Sequence, residues 1–284
     1  MRQKFSFPRI FVLMDNTVIS PGFIGSWGWS VAIFTCDYRF WIFDTGGNEF
    51  ILQNAIKFGI DLSRAEGLLI SHGHYDHTNG IMGLFKTHFN GPIYAHPQFM
   101  KPRYVVENGE ITRFIGMDTY IFPLIKPMFT EVPDFIQLEE NLTMFTEISR
   151  RNNLIQPSIS AHSRFAFEDK GGKIPDIVPD DAFLLLNTEK GPVVITGCCH
   201  SGLGNTLYHL RDKTGIKKVY GITGGTHLIS DEDAREEALE VLKEFSVEVI
   251  YPSHCTGLGG RDFLREKLPD KVKPVGAGSV ITFE

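Results

Sequence analysis

The chain has 284 residues, 42% of them hydrophobic, enough to bury a sizeable core in a single domain spanning residues 1–284. Its formal net charge of −6 argues against a nucleic-acid partner, which selects for a basic surface, and points to a small-molecule substrate. No apolar run approaches the roughly 18 residues of a membrane span, and "MRQKFSFPRIFVLMDN" lacks the apolar core of a secretion signal, so the expectation is a soluble, cytoplasmic protein without a membrane partner.

In chain order, short β-rich runs alternate with segments of helical pattern, which predicts an α/β fold. The first strands are expected at Arg9 to Asp15 ("RIFVLMD"), Ser30 to Cys36, Arg39 to Gly46 ("RFWIFDTG"), Gly67 to Ser71 ("GLLIS") and Pro92 to His96. From about residue 97 to residue 179 prolines are scattered, "KGGK" interrupts, and periodicity is weak, so this stretch reads as an insertion or lid. Strand patterns return with "AFLLLNT", "PVVITG", "KKVYGITG" and "VEVIYPS", and the chain closes on "KPVGAGSVITFE". The clearest helix is Ser230 to Phe245: Ser230 is placed to cap it, acids fill its first turn, and Ala234, Ala238, Leu239 and Leu242 form an apolar stripe.

Chemistry concentrates in "SHGHYDHTNG", Ser71 to Gly80, where three of the ten histidines and an aspartate fall between His72 and His77. The cluster follows an apolar strand and precedes a helical pattern, the position at which open α/β sheets carry their sites. Residues two apart face one side of an extended chain, so His72 and His74 can share one cation if the loop is extended, with Gly73 letting the backbone bend between them. Asp76 and His77 then point elsewhere, towards a second cation. Imidazole and carboxylate both suit zinc, manganese or iron. A solvated polar turn is the alternative, and the density of ligand types disfavours it.

More ligands are needed, and three histidines stand just past later apolar runs: His200 after "PVVITG", His227 after "KKVYGITG" and His254 after "VEVIYPS". They are 27 residues apart in each case, one strand-plus-helix unit, so parallel stacking of those units delivers all three to one sheet edge.

With these motifs the chain resembles the metallo-β-lactamase superfamily: "SHGHYDH" fits its HxHxDH signature. Within it the chain is similar to the branch related to 7,8-dihydropterin-6-yl-methyl-4-(β-D-ribofuranosyl)aminobenzene 5'-phosphate synthase, through "LMDN", "WGWS", "WIFDTG", "PDDAFLLLNTEKGPVVITGCCHSGLGN", "GGTHL", "HCTG" and "GAGSVITF". The resemblance implies a four-layer αββα sandwich and two divalent metal ions, zinc first, with manganese or iron as alternatives. It puts His72, His74 and His200 on one ion and Asp76, His77 and His254 on the other. Where many relatives carry a bridging aspartate before the last histidine, this chain is read as having His227, which then binds one ion, contacts substrate or leaves the second site weak.

Around these ligands, Asp44 is expected to hold the outer nitrogen of a metal-bound histidine, with Asp15 a further candidate. Asn16, Arg103, Arg113 and Arg164 are candidate substrate contacts, the arginines for a phosphate or carboxylate. His88, His162 and His209 read as surface or packing residues and His96 as structural. The four cysteines, Cys36, Cys198, Cys199 and Cys255, are too few and too irregular for a disulfide framework, and Cys199 and Cys255 read as packing thiols. "TGGN" at Thr45 to Asn48 lacks the lysine of a phosphate loop and reads as a turn.

The default chemistry of such a pair of ions is hydrolysis of a small phosphate-, ester- or lactone-bearing substrate, with Asp76 accepting a proton from water and His227 protonating the leaving group. The resemblance adds an alternative: transfer that joins a dihydropterin methyl diphosphate to a ribofuranosyl-aminobenzene phosphate. A non-catalytic metal-binding protein is the third reading.

Overall fold

A computed structural model of the chain describes residues 8–35, 38–108, 110–157, 165–169, 172–229 and 231–283. Cys36, His162, Arg164 and Ser230 lie outside the described residues. Strands β1 (Arg9–Met14), β2 (Ser30–Phe34) and β3 (Phe40–Phe43) make an antiparallel meander. Helix α1 (Phe50–Phe58) then leads to β4 (Leu68–Leu69), the short helices α2 (Tyr75–Thr78) and α3 (Ile81–Phe85), and β5 (Ile93–Ala95). Next come β6 (Arg103–Glu107), β7 (Glu110–Phe114), α4 (Phe122–Ile125), β8 (Phe129–Glu131), β9 (Phe135–Glu139) and β10 (Leu142–Phe145). The second half holds β11 (Phe165–Asp169), β12 (Gly172–Pro175), β13 (Phe183–Thr188), β14 (Gly191–Thr196), α5 (Leu203–Thr214) and β15 (Gly221–Gly224). It ends with α6 (Glu232–Glu244), β16 (Val249–Pro252), α7 (Gly257–Lys267) and β17 (Val280–Thr282).

Two sheets stack face to face: a seven-stranded one in the order β17-β1-β2-β3-β4-β5-β8 and a six-stranded one in the order β16-β15-β14-β13-β10-β9. Three apolar cores account for four layers. The middle core joins the sheets through Val31, Phe43 and Leu69 on one side and Met144, Leu184 and Ile195 on the other. A second core packs α1 and α3 on the outer face of the first sheet through Ile51, Ala55, Ile81 and Leu84. The third packs α5, α6 and α7 on the outer face of the second sheet through Leu207, Ala238, Leu242 and Leu264. This is the αββα sandwich. Strands between two apolar layers are buried on both faces, which is why β3 ("FWIF") and the inner part of β13 ("FLLL") read as unbroken apolar runs rather than alternations.

The weakly patterned middle stretch divides instead of forming one lid. Strands β6, β7, β11 and β12 build a separate four-stranded sheet, whereas β8 joins the first sandwich sheet and β9 and β10 join the second. Short strands shared among three sheets leave no sustained period to read. The cap of α6 also moves by one residue: the Asp231 side chain, with extended backbone, accepts from Ala234 N at 3.0 Å. No helix among the described residues is long and apolar enough to cross a membrane.

Candidate metal centre

The dense loop begins where β4 runs out. His74 has extended backbone (φ −75°, ψ 148°) and starts the single turn of α2, so the first two imidazoles lie along an extended segment and Asp76 and His77 on a helical one. Gly73 serves close approach more than bending: a Cβ there would sit 1.8 Å from the Phe99 carbonyl oxygen. The loop is tied down from outside. Gly73 N donates to Asp180 Oδ2 at 2.8 Å, Met117 N to Gly73 O at 3.0 Å, and Tyr75 N to Ile115 O at 2.9 Å.

The other histidines arrive by topology. Strands β14, β15 and β16 are parallel, with Thr196, Gly224 and Pro252 in register, so His200, His227 and His254 leave the same sheet edge. His227 and His254 hold positive φ (51° and 46°), a conformation that non-glycine residues adopt at a cost and that recurs at functional sites.

Six side chains form two triads in one buried cluster. The ring nitrogens of His72, His74 and His200 lie within 4.8 Å of one another, and so do the ligand atoms of Asp76, His77 and His254. His72 Nε2 faces His74 Nδ1 at 3.0 Å, His77 Nε2 faces His254 Nε2 at 3.2 Å, and His254 Nε2 is 3.3 Å from Asp76 Oδ2. Nitrogens bound to one tetrahedral zinc are about 3.3 Å apart, given bonds of roughly 2.0–2.1 Å. His74 Nε2 and both ring nitrogens of His200 are buried without a hydrogen-bond partner among the described residues. Buried polar atoms of this kind call for a partner, and for His200, grouped with His72 and His74, a cation would supply one.

The protonation states agree. Burial pushes His72, His74 and His200 well below the ordinary histidine value of 6.5, and neighbouring cationic groups add to this; neutral imidazole is the ligating form. Burial also opposes ionisation of Asp76, but a hydrogen bond from His254 and the charges of His77, His254 and His74 outweigh it and hold the carboxyl below its usual range. Asp76 is therefore a good anionic ligand and a weak proton acceptor. For His77 burial works downward, and Asp44 overcomes it and raises the pKa.

Asp44 occupies the expected supporting place. Its Oδ2 is 2.7 Å from His77 Nδ1 and accepts from Ser71 Oγ at 2.7 Å, while Oδ1 accepts from Ser71 N at 2.7 Å. For His254 that support comes from Asn16, whose Oδ1 is 2.9 Å from Nδ1 and whose Nδ2 donates to the His254 carbonyl at 3.2 Å. Asp15 holds the backbone instead, accepting from His254 N at 3.0 Å, and pairs with Arg261.

The arginines separate. Arg103, expected at a substrate, is fully buried and bound to Asp176 (2.8 Å) and Asp180, so it cannot reach a ligand in the cleft; it positions the carboxylate that grips Gly73. Arg113 does line the cleft, with Trp27, Tyr75, Phe165 and His227. His227 lies 4.7 Å from the His200 ring, centroid to centroid, in neither triad, and burial, reinforced by His254, pushes its pKa down to about 4. It is held neutral and offers a hydrogen bond more readily than a stored proton. His88 is exposed, His209 is buried and accepts from Ser149 N at 3.1 Å, and His96 bonds Glu147 at 2.8 Å.

Cys198 was not among the expected site residues, yet its sulfur is 3.3 Å from His77 Nε2. A signal existed in "TGCCH": Cys198 and His200 are two apart past a strand, the same spacing as His72 and His74. Cys199 contacts Thr206 Oγ1 at 3.4 Å and Cys255 the Cys198 carbonyl at 3.2 Å, both within packed surroundings.

Comparison with known proteins gives consistent findings. A family model described as the metallo-beta-lactamase superfamily matches residues 39–254. The 7,8-dihydropterin-6-methyl-4-(beta-D-ribofuranosyl)-aminobenzene-5'-phosphate synthase of Methanocaldococcus jannaschii is 28% identical over 253 residues, covering 85% of this chain and 84% of that protein. A crystal structure described as a metal-dependent hydrolase of the beta-lactamase superfamily superposes with a TM-score of 0.81 at 28% identity, over 98% of this chain and 99% of the other. The metallo-beta-lactamase fold protein YhfI from Bacillus subtilis shares the fold, with a TM-score of 0.60 at 12% identity, covering 98% of this chain and 100% of that one.

Proposed function

Because the chain belongs to the metallo-beta-lactamase superfamily, we propose that it is a hydrolase that holds two divalent cations and acts on a small phosphate-, ester- or lactone-bearing molecule. The observation that carries this reading is the pair of buried triads sharing one cluster, with the His200 ring unpartnered. Divalent cations held there acidify water and polarise a carbonyl or phosphoryl oxygen.

The protein's own groups divide the remaining work. Asp44 and Asn16 fix the rings of His77 and His254, which keeps their Nε2 atoms aimed inward. Asp76 stays ionised and binds. Neutral His227 donates a hydrogen bond from the wall of the cleft, towards a substrate oxygen or leaving group. Arg113, exposed at the mouth, suits an anionic substituent, and Phe165, 5.2 Å from the His74 ring, shields the first triad from water.

A second reading, transfer that links a dihydropterin to an aminobenzene phosphate, has two supports. One is the likeness to the synthase over 85% of this chain and 84% of that protein. The other is a mostly apolar cavity of about 500 Å³ that shares Trp27 and His254 with the cleft and is walled by Ile229 and Leu258, room for a planar ring beside the second triad.

Elemental analysis of protein purified without added metal, followed by profiling on phosphodiesters, esters and lactones, tests the first reading. About two metal ions per chain and turnover abolished by chelation are expected; metal-free protein with unchanged turnover overturns it. Dihydropterin binding that Trp27→Ala weakens, with no hydrolysis of any tested class, establishes the second reading in its place.

A further inference from the structure

A fourth potential donor, the sulfur of Cys198, lies beside the second triad. His77 Nδ1 is engaged by Asp44, so its Nε2 presents the lone pair, and that atom faces both His254 Nε2 (3.2 Å) and Cys198 Sγ (3.3 Å). Cys198 is buried, and its sulfur falls in two groupings of potential ligand atoms within 4.8 Å of one another: with His72 and His77, and with His254 and Cys255. Among the described residues, only His72, His77 and Cys198 take part in groupings that include ligands of both triads.

The backbone puts it there by a close approach of the two sheets. Cys198 follows Gly197, where a Cβ would stand 2.1 Å from Ser71 Oγ and 3.1 Å from Asp44 Oδ2. Only glycine lets the end of β14 press against the start of the histidine loop, and the next side chain then enters the cluster. Cys199, one residue on, is directed to Thr206, and Cys255 directs its sulfur to the Cys198 carbonyl. Of the three described thiols, Cys198 is the one within hydrogen-bond range of a ligand imidazole.

We propose that Cys198, as a thiolate, is a metal ligand that joins Asp76, His77 and His254 at the second cation position. The proposal rests on the metal-binding reading above. On coordination the S–H bond breaks heterolytically, both electrons stay on sulfur to form the metal–sulfur bond, and the proton passes to solvent. A tetrahedral zinc with bonds of about 2.3 Å to sulfur and about 2.0–2.1 Å to nitrogen sets S···N near 3.6 Å, close to the observed spacing. One soft donor in an otherwise N/O set biases the position towards zinc and against magnesium and manganese. It also removes the need for a ligand at His227, which stands outside both triads.

X-ray absorption at the zinc edge of the zinc-loaded protein, with metal content measured on the same sample, tests this without a variant: a sulfur scatterer at about 2.3 Å is expected. Cobalt(II) loading should give a sulfur-to-cobalt charge-transfer band in the near ultraviolet, lost in Cys198→Ser and kept in Cys255→Ser. A metal-loaded wild type with only nitrogen and oxygen neighbours overturns the thiolate and leaves the metal centre intact. A band that survives in Cys198→Ser overturns it too. Wild-type protein that takes up no metal overturns both this proposal and the reading beneath it.

Discussion

The loop from His72 to His77 and the three strand ends at His200, His227 and His254 build one site in opposite ways. The loop packs four ligands into six positions and depends on clamps from elsewhere: Asp180 on Gly73, Ile115 on Tyr75, and Asp44 on Ser71 and His77. The strand ends are dispersed, but parallel pairing of β14, β15 and β16 delivers them to one edge, with Asp15 and Asn16 fixing His254 there. Each triad takes two side chains from the loop and one from a strand end. Neither region closes a site alone, and a dense motif is therefore the more fragile half.

The sharpest way to break the comparison is to delete one ligand from each half. Asp76→Ala and His200→Ala should each lower bound metal, the first at the second triad and the second at the first. Turnover should fall by more than the roughly 10–100-fold typical of an outer hydrogen-bonding partner. Elemental analysis with steady-state rates checks this, and a metal content unchanged from wild type in either variant would contradict the two-triad arrangement.

Removing a clamp should strike the loop selectively. Arg103→Ala leaves Asp176 and Asp180 buried without their cation, which typically costs about 3–5 kcal/mol. Denaturant unfolding should show that loss, and hydrogen exchange should rise at Gly73 and Tyr75 before it rises at Thr196 or Gly224.

Smaller effects should follow from the groups that aim the rings. Asp44→Asn and Asn16→Ala are expected to weaken metal binding by roughly 10–100-fold, measured by competition with a chelator, with Asp44→Asn the larger because it also loosens Ser71.

The mildest test is pH. In the metal-free protein His72, His74 and His200 have pKa values below the unfolded value of 6.5, so below that pH the unfolded chain binds protons that the folded one refuses. Stability should fall as pH drops through and below about 6.5. His77, raised by Asp44, works the other way: its contribution is present below 6.5 and is lost as pH rises through its folded value. Thermal melts from pH 8 to pH 5 should show net loss on acidification, and His200→Gln should flatten the slope.

Much of this was legible in the residues. Period and apolar runs identify the sandwich strands, because strands buried on both faces show as continuous hydrophobic stretches. Spacing pairs His72 with His74 and sets Asp76 and His77 apart, strand-end placement brings His200, His227 and His254 to one edge, and the division into two triads came from the family resemblance. Roles that depend on distant chain segments were not legible. Asp15 and Asn16 are neighbours with similar chemistry, and only the approach of the segment after β1 to the segment after β16 gives the His254 ring to Asn16 and its backbone to Asp15. Arg103 resembles any arginine near a site until its two buried carboxylates come into view. Cys198 is masked by its neighbour Cys199, and the direction of each thiol depends on how closely Gly197 meets Ser71.

By itself, then, the sequence determined which donor atoms exist and on which strand ends they ride, because local periodicity and residue type are properties of short segments. The tertiary structure decided which donors share a cation position, which charged groups are consumed in holding the loop, and which thiol faces the ligands. Those outcomes depend on contacts between segments as far apart as Asn16 and His254, where burial and a few tenths of an ångström set the chemistry.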